Sequence, residues 1–278
     1  MTRVVCQQLA PVFGDLEANR RLSVAAIREA AARGTDVVVL PELITSGYVF
    51  RSPEEAAGLA IRPHDEILMQ WASEAARADL VLAGGFCELG DDGHLYNSAA
   101  LFDATGLRAV YRKLHLWDRE KLVFTPGCSP PPVLDTRIGR VSLLICYDLE
   151  FPELTRSVAL AGTQLLLVPT NWPLVPRPRG EHPPEAMIGM AAARVNRMAI
   201  ACADRTGNER GQDWTAGTSI IGVDGWVVAE SREPGAVVAD LDLDAALNKR
   251  LTEGADAFGD RRPEFYRDLA RSEAKAGV

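Results

Sequence analysis

What this 278-residue sequence lacks narrows its function before any motif is read. It has no Cys-x-x-Cys pair. The five cysteines (Cys6, Cys87, Cys128, Cys146, Cys202) are odd in number and widely spaced, which indicates neither a disulfide framework nor a zinc knuckle. The four histidines, His64, His94, His115 and His182, are equally dispersed, so no metal or cofactor is expected. No apolar run approaches transmembrane length, and the first ten residues lack the apolar core of a signal peptide, so a cytoplasmic protein is expected. Positive charge is in deficit: 30 Lys and Arg against 38 Asp and Glu leave a formal charge of −8, and the cations are scattered. That balance argues against a nucleic-acid surface or a polybasic membrane patch and leaves a small molecule as the default ligand. Repeats, low-complexity tracts and linkers are also missing. A single domain over residues 1–278 is therefore expected, with roughly the last 30 residues a charged, partly helical C-terminal extension.

What is present is organised around residues 139–153. The apolar, partly β-branched run Val141, Leu143, Leu144 and Ile145 predicts a buried strand that stops at Cys146. A helix follows, with Pro152 near its first position, Leu154, Val158 and Ala161 at helical spacing, and Gly162 as its stop. Cys146 thus stands at a strand-to-helix elbow, where open α/β folds present reactive side chains. A free cysteine more commonly packs as a small hydrophobe, so its neighbours decide the reading. A nucleophilic thiol needs a base or a cation, whereas Asp148, Glu150 and Glu153 oppose a free thiolate. Activating groups must come from elsewhere in the chain.

Two other strand ends carry such groups. Residues 4–9 predict a first strand, 18–33 a helix and 36–40 a short strand that closes in Pro41-Glu42-Leu43. Pro41 cannot donate to a sheet ladder, so the backbone leaves the sheet there and Glu42 sits at its rim. Helices over 53–60 and 64–78 precede strands over 80–88, 96–102 and 108–113, joined by turns at Asp91-Asp92-Gly93 and Ala104-Thr105-Gly106. Lys113 ends the last of these. It opens the irregular stretch 114–127, which contains Trp117 and Glu120 and is long for a surface connector. An almost purely apolar strand, 164–168, ends in Pro169-Thr170-Asn171-Trp172-Pro173. A helix rich in small residues (185–197) and strands over 199–203, 217–223, 226–230 and 237–241 complete the pattern. Alternating βα units mixed with hairpins imply an α/β fold of large mixed sheets with helices outside them.

Glu42, Lys113 and Cys146, in this order, resemble the carbon–nitrogen hydrolase (nitrilase) superfamily. The matching words are Pro41-Glu42-Leu43, Tyr111-Arg112-Lys113-Leu114-His115-Leu116, Glu120 before Phe124-Thr125-Pro126-Gly127, and residues 145–153; the likeness continues through Asn171-Trp172, residues 194–197 and Asp224-Gly225. The resemblance implies a four-layer αββα sandwich of two mixed β-sheets flanked by helices, assembled as a homodimer or larger homo-oligomer through the helices near 151–161 and 185–197. It further implies Cys146 as a nucleophile forming a thioester, Glu42 as proton carrier, Lys113 and the Tyr147 backbone N–H as oxyanion donors, and Glu120 as a second glutamate that orients the lysine or substrate. Tyr147-Asp148 after the cysteine is similar to the amidase, carbamoylase and Nit-type branches, whereas nitrilases carry Trp-Glu there. Small carboxamides are therefore the expected substrates, with nitriles next and N-carbamoyl amino acids third, the last wanting a cation such as Arg177 or Arg179. Tyr48, Trp117, Asn171 and Trp172 are candidate pocket walls. A non-catalytic scaffold would predict loss of Glu42, Lys113 or Cys146, and all three are present.

Overall fold

The computed structural model describes residues 1–266. In chain order its first half comprises β1 (Thr2–Gln8), α1 (Leu16–Ala32), β2 (Val37–Val39), α2 (Pro53–Ala57), α3 (Glu66–Ala78), β3 (Val81–Leu89), β4 (Leu95–Asp103) and β5 (Gly106–Arg112). The second half runs β6 (Val133–Thr136), β7 (Gly139–Leu143), α4 (Pro152–Leu160), β8 (Leu165–Pro169), α5 (Pro184–Asn196), β9 (Ala199–Ala203), β10 (Asn208–Glu209), β11 (Gln212–Asp213), β12 (Ser219–Ile221), β13 (Val227–Glu230) and β14 (Gly235–Leu241).

Two six-stranded sheets result, ordered β14-β1-β2-β3-β4-β5 and β13-β12-β9-β8-β7-β6. Each has the same grammar. Three parallel strands (β1, β2 and β3, or β7, β8 and β9) are extended on one side by an antiparallel meander, and on the other by one antiparallel strand, β14 or β6. This duplication of topology has no counterpart in the sequence, because the same layering can be met by unrelated apolar residues. Residue alternation explains the layers. Val4, Cys6, Val37, Val39, Val81 and Ala83 face the second sheet in one core, while Val5, Val38, Leu82 and Phe102 pack under Ile27, Leu68 and Trp71 of α1 and α3. The expected αββα sandwich is the fold observed.

Element boundaries differ from the sequence reading where caps decide them. Helix α1 starts two residues before the expected position because the Asp15 side chain accepts the Ala18 N–H, and α3 starts two residues late because Asp65 caps it. The C-terminal extension contains a small hairpin of β15 (Arg250–Thr252) and β16 (Ala255–Asp256) and a short 3₁₀ turn (Pro263–Phe265); its remainder past residue 266 lies outside the described residues.

Candidate active site

Glu42, Lys113 and Cys146 each sit just past the end of a strand, β2, β5 and β7 in turn. After β2, Pro41 ends the ladder and Leu43 takes a left-handed backbone (φ 48°), which folds Glu42 inward. The backbone there lies so close to β3 that a Cβ on Gly85 would meet Glu42 Cα at 2.5 Å, so glycine is required at 85. After β7, Leu144 and Ile145 carry the chain to Cys146, also left-handed (φ 46°), at the start of a 3₁₀ turn over Cys146–Glu150. The strand therefore stops at Leu143, earlier than expected, and the thiol stands on a strained elbow. The Tyr147 backbone N–H, in the first turn of that helix, finds no acceptor among the described residues.

Asp148 holds the elbow. Its fully buried carboxylate accepts the Ile145 N–H (3.2 Å), the Tyr111 hydroxyl (2.8 Å), the His115 N–H (3.0 Å) and a contact from His115 Nδ1 (2.8 Å). The His115 ring stacks on Phe151 at 3.5 Å between centroids. One acid thus ties the cysteine turn to the segment following Lys113.

Glu42, Lys113 and Glu120 form a buried chain of charges. Lys113 Nζ donates to Glu42 Oε1 at 2.7 Å and to Glu120 Oε1 at 2.8 Å, and neither the lysine nor the Glu42 side chain is exposed at all. Asn97 on β4 donates to Glu42 Oε1 (2.7 Å) and more weakly to Glu120 Oε1 (3.3 Å), and Glu120 also accepts the Tyr48 hydroxyl (2.6 Å) and the Trp117 N–H (3.0 Å). Glu42 Oε2 and Asn97 Oδ1 are left without a partner among the described residues.

Two carboxylates share one ammonium, so one is under-neutralised, and it is Glu42. Burial raises it from the usual 4.5 to about 7, with Lys113 opposing and Glu120 adding to the shift. Lys113 is held charged: burial works against the ammonium, but Glu120 and Glu42 more than offset it. Burial and the Glu42 charge push the Cys146 thiol well up, against Lys113 and the Asn171 backbone amide. The resting thiol is thus neutral beside a carboxylate poised near neutrality. Tyr48, pushed up by burial and by Glu120, stays a hydroxyl donor. The set can transfer one proton from sulfur to Oε2 while Lys113, with three N–H donors and two engaged, keeps one for a developing oxyanion.

A cavity of about 120 Å³ opens on the Tyr48 and Glu120 end of this chain, walled by Phe50, Trp117, Val123, Phe124, Pro173 and Trp214 among others. Tyr48 and Trp117 are in that wall. Asn171 and Trp172 are not. Asn171 Nδ2 instead donates to the Glu42 carbonyl at 2.9 Å, stapling the two sheets behind the carboxylate. Trp172 packs into the intersheet core over Gly217, because its N–H is anchored to Asp204 Oδ1 (2.9 Å), itself buried and raised to about 7 by burial. A second tryptophan of the wall, besides Trp117, is Trp214, edge-on to Tyr48 at 5.3 Å. Arg177 and Arg179 line a separate surface hollow; the arginine at the cavity is Arg119.

Residues 3–249 match the model of the carbon-nitrogen hydrolase family. The chain belongs to that family. It is 33% identical to a nitrilase of Pyrococcus abyssi over 269 residues, covering 96% of this chain and 99% of that protein. It is 30% identical to the N-carbamoylputrescine amidase of Arabidopsis thaliana, covering 92% of this chain and 91% of that one. Among solved structures, an amidase from Nesterenkonia sp. superposes with a TM-score of 0.81 at 30% identity over 96% of both chains. In a glutamate-to-glutamine mutant of the amidase from Nesterenkonia sp. AN1 acrylamide adds to the active-site cysteine, and a cysteine-to-alanine mutant binds butyramide. This chain is accordingly a carbon–nitrogen hydrolase with an active-site cysteine. Asn97, Trp214 and the Arg205–Glu209 pair, all drawn into the site by the fold of this hydrolase, carry no local sequence signal beyond charge directly after an apolar strand, at Asp204-Arg205.

Proposed function

We propose that this hydrolase is an amidase converting small carboxamides to a carboxylic acid and ammonia, with Cys146 as nucleophile. The observation that carries the reading is the unpartnered, buried Oε2 of Glu42, a carboxylate raised to about 7 beside a neutral thiol. Sulfur attacks the amide carbon as the thiol proton passes to Glu42. The oxygen that gains charge is met by the third N–H of Lys113 and the free N–H of Tyr147, donors worth about 3 kcal/mol each in such sites. Collapse breaks the C–N bond; the proton on Glu42 leaves with ammonia, and a thioester remains. Water then attacks the thioester, giving a proton to Glu42, which returns it to the departing sulfur. Glu120 holds Lys113 in register throughout.

We take the cavity beside Tyr48 and Glu120, whose wall does not include Cys146, as the space for a small acyl group. At about 120 Å³ it falls below the roughly 150 Å³ that accommodates benzene in an apolar protein cavity. Butyramide and acrylamide at the site of the Nesterenkonia amidase support the carboxamide reading, and the Pyrococcus relative makes nitriles the second reading. A single domain acting as a homo-oligomer accompanies the proposal, supported by the apolar Leu160, Met187 and Val195 exposed on α4 and α5. The test is ammonia release from a panel of aliphatic amides, nitriles and N-carbamoyl amino acids, with Cys146→Ala as control. Amide turnover abolished in that variant is expected; ammonia from nitriles but not amides would replace the reading with the second one.

A further inference from the structure

A second buried ion pair stands behind the cavity. Arg205 Nη1 donates to Glu209 Oε2 at 2.6 Å, with the two side chains 1% and 3% exposed. The other Glu209 oxygen accepts two consecutive backbone N–H groups, of Tyr48 at 2.8 Å and Val49 at 2.5 Å. The segment carrying Tyr48 is shaped for this contact: Gly47 has φ +86°, and a Cβ there would meet Glu209 Oε2 at 2.8 Å. Tyr48 in turn gives its hydroxyl to the same Glu120 oxygen that holds Lys113. Arg205 lies over the Trp214 ring at 4.5 Å, and the hairpin of β10 and β11 that carries Glu209 also delivers Gln212 and Trp214 to the cavity wall.

A buried pair of this kind is expensive to desolvate, and an apolar pair of equal volume would serve packing as well or better. What an apolar pair could not do is grip two amide hydrogens from one side. We propose that Arg205 and Glu209 are positioning residues which, by fixing the backbone at Tyr48, set the Tyr48–Glu120 hydrogen bond and through it the placement of Lys113. This rests on Lys113 and Glu120 belonging to the reaction centre. The chain of contacts is continuous: Arg205 guanidinium, Glu209 carboxylate, Tyr48 amide and hydroxyl, Glu120 carboxylate, Lys113 ammonium.

The test is a double-mutant cycle of Glu209→Gln and Tyr48→Phe, read on two quantities. One is kcat for the amide that the wild type hydrolyses. The other is the rate of Cys146 alkylation by iodoacetamide, resolved from exposed Cys128 by peptide mass spectrometry, which needs no turnover. A misplacement of about 1 Å costs on the order of 100-fold in rate, so each single variant is expected to fall about 10- to 100-fold. The double variant is expected to fall no further than the slower single one, because both act through one hydrogen bond. Losses that multiply in the double variant, or an E209Q enzyme as fast as wild type, would overturn the inference. If E209Q does not fold, as judged by thermal melting, Arg205→Lys takes its place in the same cycle with the same two outcomes. Failure of the amidase reading is seen separately, as absence of ammonia from the wild type, and leaves the alkylation cycle decisive.

Discussion

Replacing Glu42 by Gln should make the protein more stable and nearly inactive, with the gain in stability present only at high pH. The structure sets the magnitude. Glu42 Oε1 accepts from Lys113 and Asn97, contacts a glutamine carbonyl can keep, while Oε2 has no partner to lose. Burial raises the carboxyl from 4.5 to about 7, so its ionised form is disfavoured in the fold by about 3 kcal/mol, at 1.36 kcal/mol per pKa unit. The sign follows from linkage. Between those two values the folded chain binds more protons than the unfolded one, so the group supports folding below pH 4.5 and loses that support as pH rises through 7. Wild type should therefore fall behind Glu42→Gln by an extra amount, about 2–3 kcal/mol, between pH 5 and pH 8.5. Asp204, also raised to about 7, titrates in both proteins and cancels in the difference. Urea unfolding of the two proteins at both pH values measures the gap, and ammonia release measures the loss of the proton acceptor, about 10²- to 10⁴-fold. A gap that does not change with pH, or a variant with more than about a tenth of wild-type kcat, would refute this account of Glu42.

The remaining predictions follow from the same charges and walls. In wild type, kcat/KM should collapse as pH falls through about 7, the value of Glu42, since the base must be ionised to take the thiol proton; a pH–rate profile from 5 to 9 checks this. Lys113→Met should abolish turnover and destabilise the fold by about 3–5 kcal/mol, because it leaves Glu42 and Glu120 buried without their cation; urea unfolding and ammonia release measure both effects. Trp214→Ala, which removes the wall ring packed edge-on against Tyr48, should shift the ratio of kcat/KM for a bulky aryl amide over butyramide upward by about 10-fold or more, measured by competition between the two amides.

The parts of this molecule that were legible in its sequence are those written in local terms. Apolar strands closed by proline placed Glu42 and Asn171 at strand ends, and the run before Cys146 announced an elbow, because sheet exit and helix start are decided by a few neighbouring residues. The parts that were not legible depend on which face of a strand end meets which distant element. The sequence points to Trp172 as a wall residue and gives no signal for Trp214; the anchoring of the Trp172 N–H on Asp204 and its seat over Gly217 send that ring into the core, and Trp214 lines the cavity. Asp148, which read as an acid opposed to the thiolate, is spent instead on four contacts from Ile145, Tyr111 and His115, and so builds the turn that holds the thiol.

The charges of the site are committed largely to one another. With Glu120 bound by Tyr48, Trp117 and Lys113, and Asn97 and Lys113 both committed to Glu42 Oε1, the polar groups of the site are almost fully paired. The unpaired groups among the described residues of the site are Glu42 Oε2, the side-chain oxygens of Asn97 and Asn171, one N–H on Lys113 and one N–H on Tyr147. A structure selected for stability alone would have closed these, since buried unpaired polar groups cost about 1–3 kcal/mol apiece. Three of them, the Glu42 oxygen and the Lys113 and Tyr147 N–H groups, are what proton transfer from sulfur and charge on an amide oxygen require, which is why this poorly satisfied corner of the fold is read as its reactive one.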